Sequence, residues 1–189
     1  MNRQVVRFVQ VLVVLCVLSI VAGCGTTAVI HKPAESKAIF DRYKTLSLES
    51  SAAEGVIVPD SVQMKVKELV KAHIEGKYCP NRFESISAGS GPGPNDLILQ
   101  IKYTTYDEGN RFARFMLAGL GGIKIHSDVV VKDAASGDSL SQAECGKTFR
   151  WGGIYGASTG IEEIEKWYAE EVAKTFAKIL GIYVEEEEK

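Results

Sequence analysis

The chain begins with an uncharged apolar stretch that suits a membrane better than a folded core. Arg3 and Arg7 are positively charged, and no charged side chain then follows from Phe8 to Ile30. Within this stretch, small residues follow the apolar run at Ala22 and Gly23. A basic start, an apolar middle and small residues before a cleavage point are typical of a secretory signal peptide. The alternative is an uncleaved segment, because an apolar run of about 20 residues can cross a bilayer.

Cys24 directly follows the small residues, and Val21-Ala22-Gly23-Cys24 resembles the lipobox of bacterial lipoprotein signals. This interpretation predicts that residues 1–23 are removed and that Cys24 carries lipid, including palmitate. Both interpretations keep the basic end in the cytoplasm and place the rest of the chain outside. Gly25 stands where an Asp resembles the inner-membrane retention signal of Gram-negative lipoproteins. We therefore expect a lipid-anchored envelope protein on the periplasmic face of the outer membrane.

The remaining residues, 24–189, are enough for one domain with a substantial core. Removing Arg3 and Arg7 leaves 20 basic against 24 acidic side chains. No basic stripe is present, which argues against nucleic acid as a partner. Residues 24–38 are small and polar and predict a flexible tether. A single domain over 39–183 and a solvated acidic tail over 184–189 complete the predicted organisation.

Two cysteines remain after processing and lipidation, Cys79 and Cys145. An even pair in an oxidising compartment makes a disulfide between them the leading prediction. Two free thiols are the alternative, because sequence does not show whether their Cα atoms approach closely enough.

The first half of the domain predicts a strand, a helix and a short strand. Residues 44–49 alternate between apolar and polar side chains and predict a strand. Apolar residues at helical spacing predict a helix over about 61–75, with Asp60 as N-cap and Gln63 as its capping-box partner. Residues 82–87 predict a short strand, and the Gly/Pro-rich segment 88–95 predicts a loop.

The second half predicts a β-meander and a long closing helix. Residues 97–104 and 123–132 alternate clearly, residues 133–138 predict a hairpin turn, and a further strand runs from Leu140 towards Phe149. A helix is predicted from Ile161 to Leu180, with Thr159 and Glu162 as a capping box. The predicted class is α+β in two layers, with a mostly antiparallel sheet of four to five strands and two helices packed on one face.

Several turn and loop residues occur in a recognisable order. They are Tyr106-Asp107-Glu108-Gly109, then Arg111 and Arg114, then Gly119, Gly121 and Gly122, then Asp133 with Ser136-Gly137, a second glycine cluster and the closing helix. With these features the chain resembles, over roughly residues 40–180, an uncharacterised bacterial lipoprotein family, domain-of-unknown-function family 4410. That family has no established activity, so the resemblance transfers no catalytic residue.

The candidate binding residues lie in the segment 111–122, which is long and apolar for a strand connection. Arginine can hold phosphate or carboxylate groups bidentately, and exposed apolar side chains suit a partner groove or a membrane surface. The alternative is structural: the apolar residues cover the sheet, and the arginines pair with Asp107 or Glu108. The candidates are Arg111, Phe112, Arg114, Phe115 and Leu117.

Other chemistry is less favoured by the sequence. Gly156-Ala157-Ser158-Thr159-Gly160 spells G-x-S-x-G, but no histidine follows it and no parallel strand is predicted before it. His31, His73 and His126 are scattered without metal-ligand spacing. The acids Asp107, Glu108, Asp133 and Asp138 flank turns, where their side chains bond nearby backbone. We expect no catalytic residue, no metal and no cofactor.

These observations predict a lipid-anchored envelope protein with a non-catalytic accessory or structural binding role. Its expected partners are the membrane, through the lipid, and an envelope protein. The alternatives are a binder of a small anionic envelope ligand through Arg111 and Arg114 and, more weakly, an envelope hydrolase.

Overall fold

The structure is a computed structural model that describes residues 25–89, 91–117 and 120–182. The predicted signal peptide, Cys24 and the acidic tail lie outside the described residues. The strands are β1 (Gly25–Lys32), β2 (Thr45–Ala52), β3 (Ser85–Ser87), β4 (Leu97–Asp107), β5 (Ile123–Asp133) and β6 (Ser139–Phe149). The α-helices are α1 (Asp60–His73), α2 (Arg111–Met116), α3 (Gly153–Ser158) and α4 (Ile161–Leu180), with a 3-10 helix at Lys37–Arg42 and a π-helical extension of α1 at Ile74–Tyr78.

The six strands form one mixed sheet in the order β1-β6-β5-β4-β2-β3. The pairs β1/β6, β6/β5 and β5/β4 are antiparallel, whereas β4/β2 and β2/β3 are parallel. The predicted α+β class is confirmed, but the count of four to five mostly antiparallel strands is wrong. The parallel part arises because α1 follows β2 and returns the chain to the end of the sheet where β2 began. Such a crossover is the usual connection between parallel strands.

The first strand corrects the predicted tether. Residues 25–32, expected to be flexible, pair along β6, with Ala28 opposite Cys145 and Gly25 opposite Thr148. The segment contains β-branched residues from Thr26 to Ile30, which favour a pleated strand. Pairing also satisfies the backbone of β6, whose edge would otherwise be open. Residues 33–36 are the part of the predicted tether that lies outside regular structure.

The two long helices pack on one face of the sheet and bury its apolar rows. Along β4, Leu97, Leu99, Ile101 and Tyr103 are fully buried, while Lys102 and Thr104 are exposed. Helix α4 contacts β1, β5 and β6, and α1 contacts β2 and packs against α4. The predicted hairpin at 133–138 is confirmed, with the Asp133 amide donating to the Asp138 carbonyl. Within the described residues, no helix is long and apolar enough to cross a bilayer.

Both predicted capping boxes are wrong, although both helices exist. Helix α1 includes Asp60 and is preceded by Pro59 without a side-chain cap, and the Gln63 amide donates to the Val58 carbonyl at 3.1 Å. Helix α4 begins after Gly160, and the Thr159 hydroxyl turns back to the Tyr155 carbonyl. In both places the side chain of Gln63 or Thr159 donates to a nearby carbonyl, whereas a capping side chain would have accepted from a backbone amide.

Candidate binding surface

The predicted interaction segment folds into a short helix rather than an open loop. Asn110 caps α2, with its side-chain oxygen accepting from the Ala113 amide at 2.9 Å. Helix α2 packs against α3, a second six-residue helix that the sequence did not reveal. Helices this short are not stable alone in water. Tertiary contacts must therefore hold the pair in place, and we call its exposed outer side the α2–α3 surface.

Arg114 supplies those contacts from inside the pair. Its side chain is one of the largest fully buried ones, with 1% of the residue exposed. Its Nε donates to the Gly156 carbonyl at 2.8 Å, and Nη2 donates to the Thr159 carbonyl at 3.2 Å. Nη1 donates to the Gly121 carbonyl at 3.0 Å and reaches the Glu108 carbonyl at 3.5 Å. One guanidinium thus connects α2, α3 and the segments on either side of α2.

Two glycines let these segments approach closely. A Cβ on Gly156 would lie 2.0 Å from the Trp151 carbonyl oxygen, so a side chain there does not fit. Gly109 has φ +66°, and a Cβ on it would lie 2.3 Å from the Gly121 carbonyl oxygen. Gly109 and Gly156, two glycines of the pattern noted in the sequence, therefore allow tight backbone packing around Arg114.

The outward side chains of the pair and of its flanking residues are apolar. Phe112 is 72% exposed and Ile154 is 82% exposed. Trp151 and Tyr155 stack edge to face, with ring centroids 5.8 Å apart. The residues of the α2–α3 surface, which hold most of the exposed large apolar side chains of the described chain, are Phe112, Phe115, Met116, Leu117, Leu120, Trp151, Ile154 and Tyr155.

The structure does not support the predicted pairing of Arg111 with Arg114 around an anionic ligand. Arg111 is exposed, whereas Arg114 is buried and its N–H groups donate to backbone carbonyls. Burial, and then the charge of Arg111, lower the pKa of Arg114. The structural alternative, in which the arginines pair with Asp107 or Glu108, describes Arg114 better. Its contact with Glu108, however, is to the main-chain carbonyl rather than to the carboxylate.

The less favoured chemical motifs adopt local structural roles. The Ser158 hydroxyl donates to the Tyr155 carbonyl at 2.9 Å and ends α3, a helix that follows the antiparallel strand β6. Asp107 and Asp133 lie at opposite ends of β4. Asp107 accepts from the Gly109 amide, and Asp133 pairs with Arg42 at 2.8 Å. The described residues contain no group of His, Cys, Asp and Glu that could hold a metal ion.

The predicted disulfide is absent, since Cys79 and Cys145 are free and buried in the structure. Cys79 follows the π-helical turn after α1, whereas Cys145 lies in the middle of β6 beneath α4, where it interacts with Thr175. Burial raises the pKa of Cys79 to about 11 and that of Cys145 to about 12. Both thiols therefore belong to the core.

Sequence reasoning missed two polar groupings. Glu165 is 1% exposed, pairs with Lys65 at 2.7 Å and accepts from the Tyr106 hydroxyl at 2.9 Å, which joins α4 to α1 and β4. At the other end of the sheet, a cavity of about 520 Å³ lies beside Arg42, Thr45 and Asp133. Thr45 bonds Asp96, and Arg42 bonds both Tyr43 and Asp133. These groups come together only through long-range pairing, so no local pattern marks them.

Comparison with known proteins gives a family and several distant structural likenesses. The model of the family described as "Domain of unknown function (DUF4410)" matches residues 59–153, about half of the chain. A PelC dodecamer from Paraburkholderia phytofirmans is similar with TM-score 0.47 and 11% identity over 80% of this chain and 96% of that one. A minor lipoprotein from Acinetobacter baumannii is similar with TM-score 0.36 and 14% identity over 74% and 92%. No curated protein matches the chain.

Proposed function

The chain belongs to the family described as domain of unknown function (DUF4410), and we propose that it is a lipid-anchored protein of the cell envelope that acts by binding, as an accessory or structural component without catalysis. The proposal joins the lipobox-like sequence ending at Cys24 to the folded domain that starts one residue later, at Gly25.

The observation that supports the binding role is the contrast between the buried Arg114 and the exposed apolar side chains of the α2–α3 surface. Its buried arginine is fully engaged with backbone carbonyls, and its exposed side chains are mostly apolar. An exposed apolar patch of this kind marks a contact surface. Catalysis at this surface by general acid–base or nucleophilic groups would instead need polar side chains that converge on one point.

Acylation is tested first, in the cell that makes the protein. Cys24→Ser should abolish palmitate incorporation, so the membrane fraction should contain no palmitate-labelled form of the protein. Cys79→Ser is the matched control, because Cys79 is buried in the domain and should not affect labelling. Unchanged labelling and membrane retention in Cys24→Ser would refute the anchored function.

The outer-membrane assignment has its own test. Gly25→Asp introduces the residue that resembles the Gram-negative retention signal, so it should move the lipidated protein to the inner-membrane fraction. Wild type recovered with the inner membrane would contradict this part of the proposal.

The expected envelope protein partner is sought by purifying the lipidated protein in mild detergent. A stoichiometric protein in the eluate supports the accessory role, whereas a bound small anion would favour the ligand-binding alternative. The double variant Phe112→Ser/Ile154→Ser changes two exposed residues of the α2–α3 surface, and Ile182→Ser changes an exposed apolar residue after the far end of α4. Comparing the two shows whether the surface contributes to that capture.

A further inference from the structure

We propose that the α2–α3 surface rests on the lipid bilayer beside the acylated Cys24, so that the anchor and the apolar side chains together fix the domain's orientation. This inference rests on the proposed function, because it requires the lipid at Cys24.

The sheet register places the anchor and the surface at the same end of the molecule. Gly25, the first residue of β1, pairs with Thr148, and Thr148 pairs with Lys124 near the start of β5. Lys124 in turn pairs with Asp107, the last residue of β4. Helix α2 follows the end of β4, and Trp151 and α3 follow the end of β6. The beginning of β1 and both segments of the surface therefore emerge from one edge of the strands.

Almost no slack separates the lipid from the fold. Cys24 precedes Gly25 directly, and consecutive Cα atoms are about 3.8 Å apart. Because Gly25 is already held in the sheet, the lipid cannot swing on a flexible tether. Membrane insertion of the acyl chains must therefore bring this end of the sheet against the headgroups.

The chemistry of the surface fits the interfacial layer of a bilayer. Trp and Tyr favour the headgroup level, and Phe, Leu and Ile gain by leaving water for the acyl boundary. The nearby charges are mixed: Arg111 and Arg150 are exposed, but so are Asp107 and Glu108. Apolar insertion should therefore dominate over attraction to anionic lipid.

The opposite end of the sheet has few exposed apolar side chains, which argues against a domain that is apolar over its whole surface. It carries the hairpin at 133–138, whose exposed residues 135–138 are Ala, Ser, Gly and Asp. It also carries the cavity beside Arg42 and Asp133, whose charged side chains form an ion pair there. The apolar side chains thus concentrate at the end where the anchor attaches, as a membrane-facing end requires.

The test reads the position of Trp151 in the full-length lipidated protein. Trp167→Phe leaves Trp151 as the single tryptophan, and the protein is reconstituted into phosphatidylcholine vesicles with and without lipids brominated near the headgroup. We expect bromine to quench Trp151 and the bilayer to shield it from acrylamide. Adding anionic lipid should change the quenching little, because the charges around the surface are mixed.

Two variants show whether the surface itself makes the contact. Phe112→Ser/Met116→Ser/Ile154→Ser should lose the bromine quenching, whereas Ile182→Ser, an exposed apolar residue after α4, should keep it. All these side chains are exposed, so a melting curve should show that every variant remains folded.

The outcomes separate this inference from the proposed function. If palmitate labels Cys24 and the protein binds vesicles, but Trp151 is not quenched by bromine and stays open to acrylamide, the docking inference is overturned and the anchor stands. If Trp151 is shielded from acrylamide without bromine quenching, a second copy or another protein covers the surface, and the inference is again overturned. Absence of palmitate labelling in the wild-type protein would refute the anchored function itself.

Discussion

Arg114 in α2 donates from Nε to the carbonyl oxygen of Gly156 in α3 at 2.8 Å, joining two helices of six residues each. The same guanidinium also donates to the carbonyls of Gly121 and Thr159 and reaches that of Glu108. Its hydrogen-bond partners are therefore main-chain carbonyls instead of a carboxylate. Arginine suits the role because its planar donors stay charged and point in fixed directions. The buried hydrogen bonds of Arg114 thus hold α2 and α3 in place, and the exposed side chains of this pair form the apolar α2–α3 surface.

Replacing Arg114 should destabilise the protein strongly. Arg114→Met keeps much of the volume but removes the side-chain donor from the buried carbonyls of Gly156 and Thr159, whereas the Gly121 carbonyl still accepts from the Asn110 amide. Each unsatisfied buried group costs about 1–3 kcal/mol, so we expect a loss of at least about 2 kcal/mol in the free energy of unfolding. Chemical denaturation measures this loss. Arg111→Gln is the control and should change the free energy by less than about 0.5 kcal/mol, because Arg111 is exposed.

Arg114→Lys distinguishes charge from geometry. Lysine retains the charge but cannot reproduce the fork of donors, so it should recover only a small part of the lost stability. Full recovery by lysine would show that charge alone holds α2 and α3 together.

The exposed side chains of the surface should contribute little to folding. Phe115 and Leu117 are 47% and 55% exposed, so Phe115→Ala/Leu117→Ala should lower the free energy of unfolding by about 1 kcal/mol or less. Ile123→Ala, at a fully buried position, should cost about 2–5 kcal/mol under the same conditions. A loss in the double variant as large as that in Ile123→Ala would make the segment structural, and the binding surface would be lost with it.

The sequence predicted best those elements whose own residues alternate or repeat clearly. Strands β4, β5 and β6 and helices α1 and α4 carry such patterns, and each lies near its predicted position. Strand β1 was missed because its pairing partner, β6, is more than a hundred residues away in the chain. Seen locally, residues 25–32 contain Gly, Thr and Ala and favour a tether as much as a strand.

The candidate surface was predicted in part, and for a physical reason. The apolar character of residues 111–122 is visible in the sequence, and the structure leaves Phe112, Phe115 and Leu117 exposed. The contribution of α3 and the burial of Arg114 depend on contacts between segments about 40 residues apart. No periodicity within either segment indicates such a contact. In the sequence, an arginine that stabilises the fold therefore looks the same as one that binds a ligand.

Acid should weaken the link between α4 and the segment after α1. Glu170 accepts from Lys77 at 2.6 Å and from the Tyr78 hydroxyl at 3.0 Å. The Lys77 hydrogen bond, followed by that of Tyr78, lowers the pKa of Glu170 below its ordinary 4.5. A lowered folded-state pKa stabilises the protein above the unfolded pKa, and this contribution disappears as pH falls through the folded value.

The expected result is that Glu170→Gln loses less stability than wild type between pH 7 and pH 3. Denaturant titrations at the two pH values measure the difference. Lys77→Met should flatten the acid dependence similarly, because it removes the main cause of the lowered pKa. An acid dependence identical to wild type in both variants would show that the link contributes nothing to stability.

The two cysteines should behave as protected free thiols. The thiolate is the reactive form, and burial raises the pKa of Cys79 to about 11 and that of Cys145 to about 12. At pH 8 the folded protein should therefore react with iodoacetamide very slowly. Denaturant without reductant should expose both thiols at once, and mass spectrometry should find one added label on each. Because the pKa values are raised, reactivity of the native protein should increase as pH rises towards 11, with Cys79 labelled before the more deeply buried Cys145. Failure to label either cysteine in the denatured, unreduced protein would mean that the exported protein holds them in a disulfide, which would require Cys79 or Cys145 to leave its place in this core.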